Sequence, residues 1–69
     1  VKVFPSPVDN NLFFEGSYQY IEIFDLLGRS LIINDYKEVI DVSSLSNGFY
    51  ILNIHNGDEI TYEKFEVRR

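Results

Sequence analysis

The chain has 69 residues, no cysteine, 16% aromatic residues and a formal net charge of −5. A chain this short supports one small core, burying roughly 60% of its unfolded surface, and without cysteine it has no disulfide staple, no thiol redox chemistry and no cysteine-type zinc site. The acidic balance argues against nucleic acid or an anionic membrane as partner, and no apolar run reaches the ~18 residues of a membrane-spanning helix or the pattern of a signal peptide.

Period-two alternation and short β-branched or aromatic runs dominate the pattern, with turn residues between them. Strands are predicted for VKVF at 1–4, NLFFE at 11–15, YQYIEIF at 18–24, RSLII at 29–33, EVIDV at 38–42, GFYILNIH at 48–55 and EITYEKFEV at 59–67. Pro5 and Pro7 lack backbone donors and end the first strand. Gly16, Asn34 and Asp35 mark turns, and Asn56-Gly57 predicts a type I′ hairpin turn. In the sixth strand Tyr50, Leu52 and Ile54 share the core side, opposite Phe49, Ile51, Asn53 and His55. In the third, Ile21 and Ile23 oppose Tyr20, Glu22 and Phe24. RSLII is apolar on both faces and predicts a strand covered on both sides. About seven short strands and no helix predict an all-β fold, a small immunoglobulin-like antiparallel β-sandwich in a single domain, residues 1–69. Starting at Val1 without methionine, the chain reads as a piece excised from a longer protein.

A catalytic or cofactor site finds little support. His55 is the single histidine and has no cysteine to pair with; a metal site or nucleophilic triad needs two or three such partners. On the more polar face beside a hairpin it reads as an exposed strand residue. A glycosidase-type pair of carboxylates requires a cleft, for which a sandwich this small has little room. No cofactor, metal or small-molecule substrate is expected. Tyr18, Tyr20 and Phe24 fall on one strand face, the arrangement of a sugar-stacking platform, although in a small sandwich without tryptophan such a stripe is more often core or sheet cover. Charge is uneven: residues 1–63 hold three basic and ten acidic groups, −7, whereas Lys64, Arg68 and Arg69 against Glu66 give residues 64–69 a charge of +2.

Four segments in order, VFPSPVDNNLFFEG, IEIFDLLGRSLI, IDVSSLSNGFYILNI and TYEKFEVRR, resemble the type A C-terminal sorting domain of the type IX secretion system of Bacteroidetes. The resemblance spans essentially the whole chain. Pro5 and Pro7 match the first element, Asp25, Gly28 and Arg29 the D-x-x-G-R corner, Leu45, Gly48 and Tyr50 the third, and Lys64 with Arg68 and Arg69 the basic last strand. Ser6 stands where the family usually has asparagine, and Glu63 and Glu66 interrupt a typically lysine-rich ending.

The resemblance implies a secretion signal at the C-terminus of a larger protein, with no catalysis of its own. It directs an attached upstream cargo from the periplasm across the outer membrane to the surface or the medium. The implied partners are the outer-membrane translocon and a sortase-like peptidase that removes the domain. Arg29, Lys64, Arg68 and Arg69 are the candidate recognition residues; Pro5, Pro7, Asp25, Gly28, Leu45, Gly48 and Tyr50 are candidate structural ones. Docking by the last strand through edge hydrogen bonds, steered by the basic end, is the expected mode. The alternatives are a carbohydrate- or protein-binding module appended to an extracellular enzyme, and an inert spacer.

Overall fold

The computed structural model describes all 69 residues and contains seven strands and no helix. They are β1 (Lys2–Phe4), β2 (Asn11–Glu15), β3 (Tyr20–Phe24), β4 (Ser30–Asp35), β5 (Val39–Asp41), β6 (Gly48–Asn56) and β7 (Glu59–Val67). All seven fall where the hydrophobic pattern predicts them. Two antiparallel sheets form, one in the order β1-β2-β5 and one in the order β4-β3-β6-β7. This is an immunoglobulin-like arrangement in which the fourth strand joins the larger sheet instead of flanking the fifth. The molecule measures 32 × 24 × 15 Å, and its short dimension is that of two sheets packed about 10 Å apart with their outward side chains.

Alternation decides what fills the gap between the sheets. Leu12 and Phe14 of β2, Ile21 and Ile23 of β3, Ile40 of β5, and Tyr50, Leu52 and Ile54 of β6 point inward and are buried with Phe65 and Val67 of β7. Every buried side chain except the tyrosines is wholly apolar, and no charged group is buried. Such an interior is held by the transfer of apolar surface out of water, about 25 cal/mol per Å².

Four expectations are corrected, the first being the turn at Asn34 and Asp35, which instead lie within β4 paired with Ile21 and Tyr20. RSLII is not covered on both sides: β4 is an edge strand whose Ile33 is 63% exposed and Leu31 largely exposed, with only Ile32 packed against the core. Ile33 lies opposite Glu22 on the outer face of the four-stranded sheet, over which no layer packs, and Leu31 falls at the register irregularity between the Ile23–Ile32 and Phe24–Ser30 pairs. Tyr18 does not join Tyr20 and Phe24 in a surface platform. It precedes β3, and its ring is buried 5.0 Å from Phe14 and 4.9 Å from Tyr36, centroid to centroid. Its hydroxyl donates to the Lys37 carbonyl at 2.7 Å, and burial pushes its pKa above the ordinary 10.0. Finally, the β6-β7 turn is not type I′. Asn56 pairs with Glu59, leaving Gly57 and Asp58 as the loop, and positive φ occurs only at Gly57, +64°. Glycine at the first central position is the requirement of a type II′ turn.

One connection ties the sheets together. After the proline segment, Val8 forms a parallel bridge to Val67, with its N–H on the Glu66 carbonyl at 2.8 Å and its carbonyl receiving the Arg68 N–H at 3.0 Å. Val8 is fully buried. The exposed Pro5 and Pro7 therefore guide the chain from the edge of the small sheet to the edge of the large one.

Candidate functional site: a displayed corner, an open edge and a clamped end

FDLLGR forms the corner between β3 and β4, and its own side chains brace it. Asp25 Oδ1 accepts the N–H groups of Leu27 (2.9 Å) and Arg29 (3.0 Å), while Oδ2 accepts Arg29 Nε–H at 2.6 Å. Gly28 N–H donates to the Asp25 carbonyl at 3.1 Å, and Asp25 N–H to the Arg29 carbonyl at 3.0 Å. Gly28 sits at φ +87°, where a side chain is strained. The donors on Asp25, the Arg29 N–H first among them, hold its carboxyl below the ordinary 3.8. A rigid corner of this kind displays whatever lies at its tip: Leu26 and Leu27 are 62% and 81% exposed, and the Arg29 side chain 72%. The sequence pattern pointed to Asp25, Gly28 and Arg29 and gave no signal for the two leucines, whose exposure depends on the corner projecting from the sheet.

The outer face of the four-stranded sheet continues this apolar display. Register places Glu22 beside both Ile33 and Asn53, Asn53 beside Tyr62, and Ile51 beside Lys64. Tyr62 is 66% exposed, and Ile60 and Phe49 are also open to solvent. Lys64 Nζ lies 4.8 Å from the centre of the Phe49 ring, a cation–π contact. His55 is not freely exposed as expected: it is half-buried, stacked on Tyr20 at 4.2 Å and 9°. Its Nε2 and the Asn53 Oδ1 are buried without a hydrogen-bond partner.

β7 is the edge of this sheet. A strand residue sends its N–H and C=O to the same side, and successive residues alternate. The Glu66 carbonyl and Arg68 N–H point outward to Val8, so the main-chain groups of Ile60, Tyr62 and Lys64 point outward as well, beyond the bridge and without a neighbouring strand. Exposed apolar side chains beside open backbone groups are what strand addition requires.

The basic end divides into two kinds of residue. The Arg68 side chain is 63% exposed and pairs with Glu66 at 3.1 Å. Arg69 turns back over the end of the sandwich. Its Nε–H donates to Asn10 Oδ1 (2.9 Å), its two terminal nitrogens donate to the carbonyls of Leu45 (2.5 Å) and Val42 (2.9 Å), and Asp9 lies 3.8 Å away. Its N–H donates to Asn47 Oδ1 at 3.1 Å. Asn10 and Asn47 carried no signal in the sequence, since polar loop residues acquire such roles only when the fold brings the loops together.

The third motif is architectural. Leu45 is buried and its N–H donates to the Val42 carbonyl at 3.0 Å, Gly48 opens β6, and the buried Tyr50 sends its hydroxyl to the Ser46 carbonyl at 2.6 Å. A tyrosine at the start of the sixth strand that bonds back to backbone a few residues upstream is the tyrosine corner of immunoglobulin-like sandwiches. No group of three histidine, cysteine or carboxylate side chains stands close enough to hold a metal ion.

No curated protein matches the chain. A family model does: that of the secretion system C-terminal sorting domain matches residues 2–68. With a seven-strand sandwich behind the motifs and a match over nearly its whole length, the chain belongs to the C-terminal sorting domain family of the type IX secretion system.

Proposed function

We propose that this domain is an export address read in its folded form, and that it carries its upstream cargo through the periplasm to the translocon without catalysing anything itself. Membership of the family supports a C-terminal type IX sorting signal, attachment to an upstream cargo and export across the outer membrane toward the surface or the medium. That family match over residues 2–68 is the observation that carries the reading. In this proposal the receptor touches the FDLLGR tip and the open edge of β7. Leu26 and Leu27 supply apolar contact, Arg29, Lys64 and Arg68 supply charge, and Arg69 serves by holding the loops beneath them. Removal by a sortase-like peptidase then completes export.

The test is a periplasmic reporter carrying residues 1–69 at its C-terminus, expressed in a bacterium with the type IX system. Intact domain should place the reporter outside the cell. A Leu26→Ser, Leu27→Ser, Arg29→Ala corner variant should keep the fold and strand the reporter in the periplasm. Normal export of that variant would remove the corner from the recognition surface, and retention of the intact fusion would sink the address reading. Deleting residues 64–69 is a poorer test, because it also removes Phe65 and Val67 from the core.

A further inference from the structure

The largest concavity of the molecule, about 610 Å³, lies on the outer face of the three-stranded sheet, away from the corner and from β7. Its floor is a row set by register, Phe4 beside Phe13 and Phe13 beside Val39. The Phe4 and Phe13 rings stack at 5.9 Å and 16°, and all three side chains are about two-fifths exposed. Tyr36, similarly exposed, forms one wall. Glu15 and Glu38 are the charged members of the lining, which contains no lysine or arginine. Lys2 lies opposite Glu15 in register and Lys37 precedes Glu38 in the chain, yet neither glutamate is in an ion pair.

We infer that this groove receives a lysine or arginine side chain presented by an extended segment of a protein partner. Ring faces carry negative quadrupole potential and attract cations. Two unpaired carboxylates at the rim add charge of the same sign, and residues 1–63 as a whole, at −7, draw a basic partner inward. Lys64 over Phe49 shows the same contact made within the chain. A neutral sugar gains the ring faces but nothing from the net charge.

The inference is tested by ¹⁵N NMR titration of the 69-residue protein with an acetylated, amidated Gly-Arg-Gly peptide, its neutral citrulline counterpart, and maltose. The arginine peptide should shift the amides of Phe13, Tyr36, Glu38 and Val39, weaken as salt is raised, and exceed the citrulline peptide. A Glu15→Gln, Glu38→Gln variant should lower affinity about tenfold, and Phe13→Leu should weaken binding while keeping the sheet apolar. Both glutamates are exposed, so the double variant retains the fold. Equal response to citrulline, response to maltose alone, unchanged affinity in the double variant, or no shifts at the groove would each overturn the proposal.

Discussion

The guanidinium of Arg69 donates to the carbonyl of Val42, 27 residues earlier, at 2.9 Å. With the Leu45 carbonyl and Asn10 it closes one end of the sandwich by tying the β1-β2 and β5-β6 loops to the end of the chain. Hydrogen bonds from a charged donor to part-buried carbonyls are worth about 1.5–3 kcal/mol each before exposure is discounted. Arg69→Ala should cost about 2–3 kcal/mol, out of a total of roughly 3–10 kcal/mol for a chain of this length. Arg69→Lys, which keeps the charge but loses the planar fork, should fall between. Urea unfolding midpoints measure both; an unchanged midpoint for the alanine variant would mean that the clamp contributes nothing.

Tyr50→Phe removes one hydroxyl and leaves the Ser46 carbonyl without its donor. The expected cost is about 1–2 kcal/mol, with the strands otherwise intact by circular dichroism. Ser46→Ala should cost less, because the acceptor is its main chain.

At Gly28 an added Cβ meets nothing within 4 Å, so the φ of +87° alone sets the penalty. Gly28→Ala should destabilise by about 1–2 kcal/mol. The same position made D-alanine by chemical synthesis should be at least as stable as the parent. If both variants are equally destabilised, the conformational account is wrong.

Asp25 and Asp41 are both held below the ordinary carboxylate value, Asp25 chiefly by the Arg29 N–H and Asp41 chiefly by Ser43. A folded-state pKa below the unfolded one gives stability that is complete above the unfolded value and lost as pH falls through the folded one. Stability should therefore be flat near neutrality and decline below about pH 4, the unfolded-state value. Asp25→Asn should flatten part of that decline, seen as urea midpoint against pH. At the alkaline end Tyr18 acts in the opposite sense: its raised pKa gives stability that is present below pH 10.0 and lost as pH rises further.

Tyr62→Pro removes an N–H that points outward from β7 and breaks no ladder bond, whereas Thr61→Pro removes one that points toward β6. The first variant should retain most of its stability and the second should unfold. If edge pairing is how the domain docks, the folded Tyr62→Pro domain should also fail to export its reporter.

The strands and the inward residues were legible because alternation in a two-layer sandwich is imposed by burial, as in Tyr50-Leu52-Ile54. What alternation could not convey was which faces of each sheet another layer covers. Leu31 and Ile33 look like core in sequence, but Ile33 shares the solvent face with Glu22 and Leu31 falls at the irregularity in the β3-β4 register. Tyr18 failed for a related reason: read as a strand residue it pairs with Tyr20, but it lies outside β3, where the chain turns its ring inward. The site was half legible. Gly28 and Asp25 have local reasons to be what they are. The role of Arg69 depends on loops centred more than twenty residues away, which no local pattern encodes.

The bridge between Val8 and Val67 joins positions 59 residues apart, and the interior on both sides of it stays open until β7 is seated. A polypeptide emerging from the ribosome in order must wait for nearly all of this segment before the sandwich can close. Products cut short before β7 lack Phe65 and Val67 from the core and have no partner for Val8. Closure of the fold is thus a report that the last of its strands has been made, and a receptor selective for the closed form would pass only chains that carry it.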